Sequence, residues 1–202
     1  MSEERSPQPQ RIDQTILVLT CIDGALRADD AGSCASVRQP ASELAARNVP
    51  VILTSHHSCG ELAAIQEEIG IQEPFITGSG KSLCVPKGYF TRLPALSEVD
   101  GSWEVIEFDP PSVEDAIEML MWLYRVAGNS PLLVGVGTSW RDHLLLRHVD
   151  VPVVIRNPAI DQRELRAHFP QAFVTSLTGP DGWIEALLGV SLPGVDRTAI
   201  RP

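Results

Sequence analysis

The chain is short of basic residues, has only two lysines, and contains neither a paired-cysteine motif nor a long apolar run. Each shortage removes a class of function. With 16 Lys and Arg against 26 Asp and Glu, the formal charge is −10, which disfavours nucleic acid and anionic membrane as partners because both are polyanions. The same acidity stays compatible with divalent cations. No apolar stretch approaches the roughly 20 residues that a membrane-spanning helix needs. The opening MSEERSPQPQR has no apolar signal region, so residues 1–12 are expected to form a flexible tail. Cys21, Cys34, Cys59 and Cys84 form no C-x-x-C pair and suggest no disulfide framework; they read as reduced thiols of a cytoplasmic protein. There is no internal repeat. What is present is 202 residues with a hydrophobic fraction of 44%, enough for one well-packed domain over 13–202.

Short buried strands alternate with helices along the chain. Ile16–Thr20, Val51–Thr54, Leu132–Gly135 and Val151–Ile155 are apolar and rich in β-branched residues, as strands covered on both faces are. Helices are predicted over Val37–Asn48, Ser58–Gly70, Val113–Val126, Arg141–Arg147, around Gln162–His168 and over Gly182–Leu188. Phe75–Ile76, Leu83–Val85 and Phe173–Thr175 are shorter strand candidates. Trp103–Phe108 alternates in the manner of a half-solvated antiparallel strand. The alternation predicts an α/β fold: a three-layer, doubly wound, Rossmann-like parallel sheet. Ligands of such sheets bind beyond the carboxyl ends of the strands, where strand order switches. The segments Cys21–Gly24, Ser55–Cys59, Thr77–Lys81 and Gly137–Asp142 therefore become the candidate site.

ILVLTCIDGAL (Ile16–Leu26), VILTS (Val51–Ser55) and VGVGTSWRD followed by VDVPVVIRNP lie at those strand ends. Together they resemble the ordered motifs of the haloacid dehalogenase (HAD) superfamily of phosphatases. EEIGIQEPFITGSGKSLCVPKGYF, GSWEVIEFDPP and GPDGWIEALL are similar, in the same order, to connecting segments of its mannosyl-3-phosphoglycerate phosphatase-like branch. The resemblance implies a chemistry in which an aspartate attacks phosphorus and a second aspartate two residues on acts as acid and base. It also implies Ser or Thr and a lysine on the phosphoryl oxygens, with Mg²⁺ neutralising charge. Carried over by position, Asp23 is the acid/base and Ser55 with Thr54 the phosphate contact. Asp23 and Asp142 would hold a weakened Mg²⁺ site, and His56, Thr138 and Trp140 line the same pocket.

The pattern is broken in three places. Cys21 stands at the nucleophile position, Thr138 replaces the first acidic residue of the fourth motif, and no lysine occurs beyond Lys87. In this reading the missing lysine went with most of the substrate-recognising cap, because Val113–Val126 leads almost directly into LLVG; a cap remnant is expected at about 89–128. Two functions follow. One is a pseudoenzyme that binds or regulates, with an unknown protein or a small phosphorylated ligand as partner and the shortened cap as a surface for a homodimer. The other is an active phosphomonoesterase on a phosphorylated sugar or glycerate with a rewired site.

Other chemistries have weaker support. C-x5-R is formally met by Cys21 and Arg27, but Asp23, Asp29 and Asp30 would raise rather than lower the thiol pKa. Cys21, His56 or His57, Cys59 and Asp142 are types that ligate Zn²⁺, without diagnostic spacing; adjacent histidines on a strand end are expected to point apart. GSGKS (Gly78–Ser82) lacks the first glycine of a P-loop and reads as a turn. Trp122 and Trp183 are expected in the core, whereas Trp140 is placed at the mouth of the site. A redox pair of Cys21 and Cys59 is a third possibility.

Overall fold

The structure, a computed structural model, describes residues 15–27, 32–94, 98–160, 163 and 167–189. The expected tail, Asp29 and Asp30 lie outside these residues, as does most of the helix expected around Gln162–His168. Among the described residues nine strands form one sheet: β1 (Ile16–Cys21), β2 (Val51–Thr54), β3 (Phe75–Thr77), β4 (Ser82–Pro86), β5 (Glu98–Asp100), β6 (Trp103–Glu107), β7 (Leu132–Gly137), β8 (Val151–Arg156) and β9 (Phe173–Thr178). Their spatial order is β5-β6-β4-β3-β2-β1-β7-β8-β9. The run from β3 through β2, β1, β7 and β8 to β9 is parallel. The expectation of a parallel sheet needs one refinement, since β4, β6 and β5 add an antiparallel wing. The wing follows from the short break Gly78–Lys81 between β3 and β4, long enough for a hairpin but too short for a crossover.

Side-chain alternation along β1 explains the three layers. Ile16 and Val18 point into one core, Leu17 and Leu19 into the other, so the whole strand is buried. The first core is closed by α1 (Arg38–Ala46), α2 (Cys59–Ile69) and a C-terminal helical segment that includes Trp183. The second is closed by α3 (Val113–Val126) and by Leu145 of α4 (His143–Arg147). Within α3, Ala116, Ile117, Leu120, Leu123 and Tyr124 form the buried stripe; full burial of an Ile or Leu side chain contributes about 1.5–3 kcal/mol. Ser112 caps this helix by accepting from Asp115 N at 3.0 Å, and Glu114 and Asp115 favour its positive end.

The stretch expected as a cap remnant is built into this core. Its strands β5 and β6 extend the sheet, and α3 covers the sheet face that carries Leu17, Leu19 and Ile52. The turn Gly78–Lys81 supports α3 from below: Gly80 has φ +90°, and a Cβ there would lie 2.2 Å from the Val113 nitrogen. At the far end, α5 (Gly179–Ile184) carries the fully buried Trp183. Its indole N–H donates to Thr20 Oγ1 at 3.2 Å. Trp122, expected in the core, is instead exposed. It stands next to Leu123 on the one helix, and the buried stripe runs through Leu123 rather than through its neighbour.

Candidate functional site

β1 lies between β2 and β7, and chain order runs to opposite sides from it, so the switch point of the sheet is at the carboxyl end of β1. There a cleft of about 550 Å³ is lined by residues that include Cys21, Asp23, Thr54, Ser55, His56, Thr138, Arg141 and Asp142. Seven of the eight site residues proposed from sequence are thus brought together. Trp140 is the exception: it does not line the cleft but stacks on the His143 ring, with centroids 5.0 Å apart, and packs edge-on to His168. The turn Trp140–Asp142 points its side chain out to that side.

The floor of the cleft is a hydrogen-bonded set at the ends of β1 and β7. Cys21 Sγ is 3.9 Å from both Thr138 Oγ1 and the Asp23 carbonyl oxygen. The Thr138 hydroxyl donates to that carbonyl at 3.1 Å and also lies 3.3 Å from Asp142 Oδ2. Asp142 Oδ2 in turn accepts from the backbone N–H groups of Thr138, at 2.8 Å, and Ser139, at 3.0 Å. Gly137 allows this approach, because a Cβ there would lie 2.7 Å from Asp142 Cβ. Burial pushes the Asp142 carboxyl up from the usual carboxylate value, while the bonds from Thr138 and Ser139 pull it down. The Cys21 thiol is pushed well above its ordinary value, first by burial and then by the charges of Asp142 and Asp23; the contact with Thr138 works the other way. Arg27 is not among its stabilising neighbours, so the formal C-x5-R match does not produce a thiolate.

The carboxylate of Asp23 has partners of its own. Its Oδ1 accepts from Arg27 Nε at 2.7 Å, and Arg27 is almost wholly buried. Its Oδ2 is 3.7 Å from His57 Nε2 and 4.0 Å from His56 Nδ1. The Arg27 guanidinium also reaches His57 Nε2 at 2.7 Å. The two imidazoles do not point apart, as expected of a strand end; their centroids are 4.4 Å apart. β2 ends at Thr54, and both histidines sit in the following bend, where the two-residue alternation of a strand no longer applies. Asp23, His56 and His57 place ligand atoms within 4.8 Å of one another, but the cation already among them is Arg27. Ser55 Oγ accepts from His57 N at 3.3 Å, and its backbone oxygen accepts from Ser79 N, so the β3–β4 turn fixes the loop.

The Zn²⁺ set and the redox pair considered from sequence are not assembled. Cys59 turns away from Cys21 to contact Cys84, with sulfurs 3.3 Å apart, because it opens α2 on the side facing β4. Sequence reasoning missed Arg27 as the partner of Asp23 and Arg141 as a cationic lining residue. The four-residue separation of Asp23 and Arg27 was the signal for the first.

No family model matches the chain. A glucosyl-3-phosphoglycerate/mannosyl-3-phosphoglycerate phosphatase of Persephonella marina is 28% identical over 74 residues, 37% of this chain and 28% of that protein. The enzyme of the same description from Methanococcoides burtonii is 29% identical over 93 residues, 46% of this chain and 34% of that protein. The chain thus matches about a third of the length of these curated relatives. Among solved structures, a hypothetical protein from Geobacillus kaustophilus superposes with a TM-score of 0.60 at 13% identity, covering 87% of this chain and 100% of that one. A HAD-superfamily phosphatase from Bacteroides thetaiotaomicron gives 0.56 at 10% identity, over 85% of this chain and 93% of that one. The cobalt-bound deoxy-D-mannose-octulosonate 8-phosphate phosphatase of Haemophilus influenzae gives 0.54 at 15% identity, over 86% of this chain and 83% of that one. The chain has the haloacid dehalogenase fold and is distantly homologous to the phosphoglycerate-ester phosphatases. HAD phosphatases use Mg²⁺, which prefers hard oxygen donors in an octahedral set. Here the donor set does not fit. It offers a protonated sulfur, a carbonyl already accepting from Thr138, and one carboxylate whose Oδ2 already has four contacts. The charge of the Asp23 carboxylate is already matched by Arg27 at 2.7 Å.

Proposed function

We propose that this chain is a phosphatase-derived HAD-like protein that has given up phosphoaspartate chemistry and acts as a binding or regulatory protein. The observation that carries the reading is the Cys21–Thr138–Asp142 floor. At the position of the attacking carboxylate there is a buried, protonated thiol. Where a cation would be held, the Thr138 hydroxyl donates to the Asp23 carbonyl at 3.1 Å. A carboxyl nucleophile and its metal stabilise the transition state as one unit, so losing both removes far more than either alone. Asp23, which would serve as acid and base, is engaged through Oδ1 by Arg27 at 2.7 Å, with His57 and His56 3.7 and 4.0 Å from its Oδ2. The cleft still offers hydroxyls of Thr54, Ser55 and Ser139 with Arg141 and His56, groups that suit a small phosphorylated ligand of the sugar or glycerate kind.

The test uses purified protein with Mg²⁺, Mn²⁺ or Zn²⁺, given p-nitrophenyl phosphate, phosphorylated sugars and phosphorylated glycerates. No turnover above buffer is expected, and Mg²⁺ should leave the melting temperature unchanged. The double variant Cys21→Asp/Thr138→Asp should gain a Mg²⁺-dependent rise in melting temperature without full turnover, since no counterpart of the family lysine exists. Metal-dependent hydrolysis by the unaltered chain, lost in Asp23→Ala and in Asp142→Ala, would overturn the proposal.

A further inference from the structure

The thiols of Cys59 and Cys84 meet where the start of α2 covers the antiparallel wing, apart from the Cys21 floor. Cys84 Sγ donates to Cys59 Sγ across 3.3 Å. A disulfide bond is about 2.05 Å long, so the sulfurs need to close by only a little over 1 Å. The two differ in access. Cys84 is wholly buried in the middle of β4, opposite Phe75 of β3 and Val105 of β6. Cys59 is half-buried and is the first residue of α2, beside Gly60, which is exposed and where an added Cβ would point into open space. Cys59 is therefore the thiol that a solvent-borne reagent reaches, and Cys84 the one placed to displace that reagent. Cys21 and Cys34 are both buried, and Cys21 lies against Thr138 Oγ1 and the Asp23 carbonyl rather than against another sulfur.

We propose that Cys59 and Cys84 form a reversible redox site that closes to an intramolecular disulfide. The oxidant is a small-molecule disulfide. The Cys59 thiolate attacks one of its sulfurs, releasing the first small thiol and forming a mixed disulfide on Cys59. Cys84 then loses its proton and attacks Cys59 Sγ, releasing the second small thiol. Two electrons and two protons pass from the protein to the oxidant, which leaves as two thiols. The new bond would tie the start of α2 to β4. The loop between β2 and α2 already rests on the β3–β4 turn through Gly78 N to His57 O and Ser79 N to Ser55 O. Oxidation would thus fasten the segment that carries Ser55, His56 and His57 at both ends.

The full-length protein is incubated with oxidised glutathione, trapped by alkylation, and analysed by intact mass and non-reducing peptide mapping. The expected result is a fall from four titratable thiols to two, no retained glutathione, and a single link between the peptides of Cys59 and Cys84. Dithiothreitol should restore all four thiols. Cys59→Ser should abolish the link, whereas Cys34→Ser should leave it intact. Three results would each overturn the proposal. They are a glutathione adduct that persists on Cys59 with Cys84 still alkylated, a link through Cys21 or Cys34, and four unreacted thiols in the unaltered chain.

Discussion

Asp142 serves either as a structural residue or as a metal ligand, and two substitutions distinguish the roles. Its Oδ2 accepts from two backbone N–H groups at 2.8 and 3.0 Å and from the Ser139 hydroxyl at 3.4 Å, with Thr138 Oγ1 3.3 Å away. Asp142→Ala strips the partners from both N–H groups. An unsatisfied buried donor costs about 1–3 kcal/mol, and partial access of water from the cleft keeps the sum near the lower end, at about 2–3 kcal/mol. In a domain of this size each kcal/mol moves the melting temperature by about 2–4 °C, so Asp142→Ala should melt roughly 4–12 °C lower. Asp142→Asn keeps an acceptor oxygen in place and removes a carboxylate that burial disfavours, so it should stay within about 1 kcal/mol of the parent. The pH dependence has a definite sign. Because the folded-state pKa of Asp142 is raised, its contribution is fully present below the unfolded carboxylate pKa of about 3.9 and is lost as pH rises through the folded value. Asn suffers no such loss, so the melting temperature of Asp142→Asn relative to the parent should increase between about pH 4 and pH 7. Thermal unfolding followed by circular dichroism at both pH values reads all three quantities. An Asn variant as damaged as the Ala variant, or an Ala variant with unchanged melting temperature, would refute the structural role.

Gly80→Ala should cost about 3 kcal/mol or more, because φ is +90° and the new Cβ would lie 2.2 Å from the Val113 nitrogen; urea denaturation measures it, and a loss under about 1 kcal/mol would show that the turn does not support α3. Tyr89→Phe removes the hydroxyl that donates to Glu73 Oε2 at 2.5 Å and meets Tyr124 Oη at 2.9 Å. Burial already pushes the Glu73 carboxyl up, so losing its donor should cost about 1–3 kcal/mol, more at neutral than at acid pH, where Glu73 is uncharged; a pH-independent loss in the same denaturation assay would count against it.

The helices and central strands were legible because their signals are local. Ser58 and Gly70 bracket α2 as a capping box and a left-handed stop, and Val113–Val126 matches α3 at both ends. The convergence of Cys21, Thr54, Ser55 and Asp142 was legible too, because strand carboxyl ends meet wherever an α/β sheet switches direction. Side-chain direction was not. Trp140, His56 and His57 lie in bends or a short tight turn, where neither the two-residue period of a strand nor the helical period assigns a facing. The Cys59–Cys84 contact joins a helix start to an antiparallel wing strand, 25 residues apart, and no spacing rule relates those positions. The partnership of Asp23 with Arg27 was within reach of the sequence through their four-residue separation, but the motif resemblance drew attention only to a catalytic role for Asp23.

In the proposed reading, the side chains at positions 21 and 138 act together with Asp142 in the floor of the cleft. A carboxylate at position 21 beside Asp142, both in low dielectric, would be two like charges needing a cation between them. A second acidic group in place of Thr138 would make that need greater. With Cys21 protonated and Thr138 neutral, the floor carries one carboxyl group whose Oδ2 accepts from the Thr138 and Ser139 backbone N–H groups and the Ser139 hydroxyl, and burial raises that group's pKa. The set is therefore self-consistent without a metal, and each residue favours the others. Returning only Cys21 to aspartate would place an unpaired charge beside Asp142 while Thr138 still donates to the Asp23 carbonyl, so a cation would gain one ligand and still lack another. In the proposed reading, building a cation site on this floor requires at least two changes made together. Neutral side chains at both positions thus support the proposed reading, a function that does not need the cation, over a working catalyst with a single substitution.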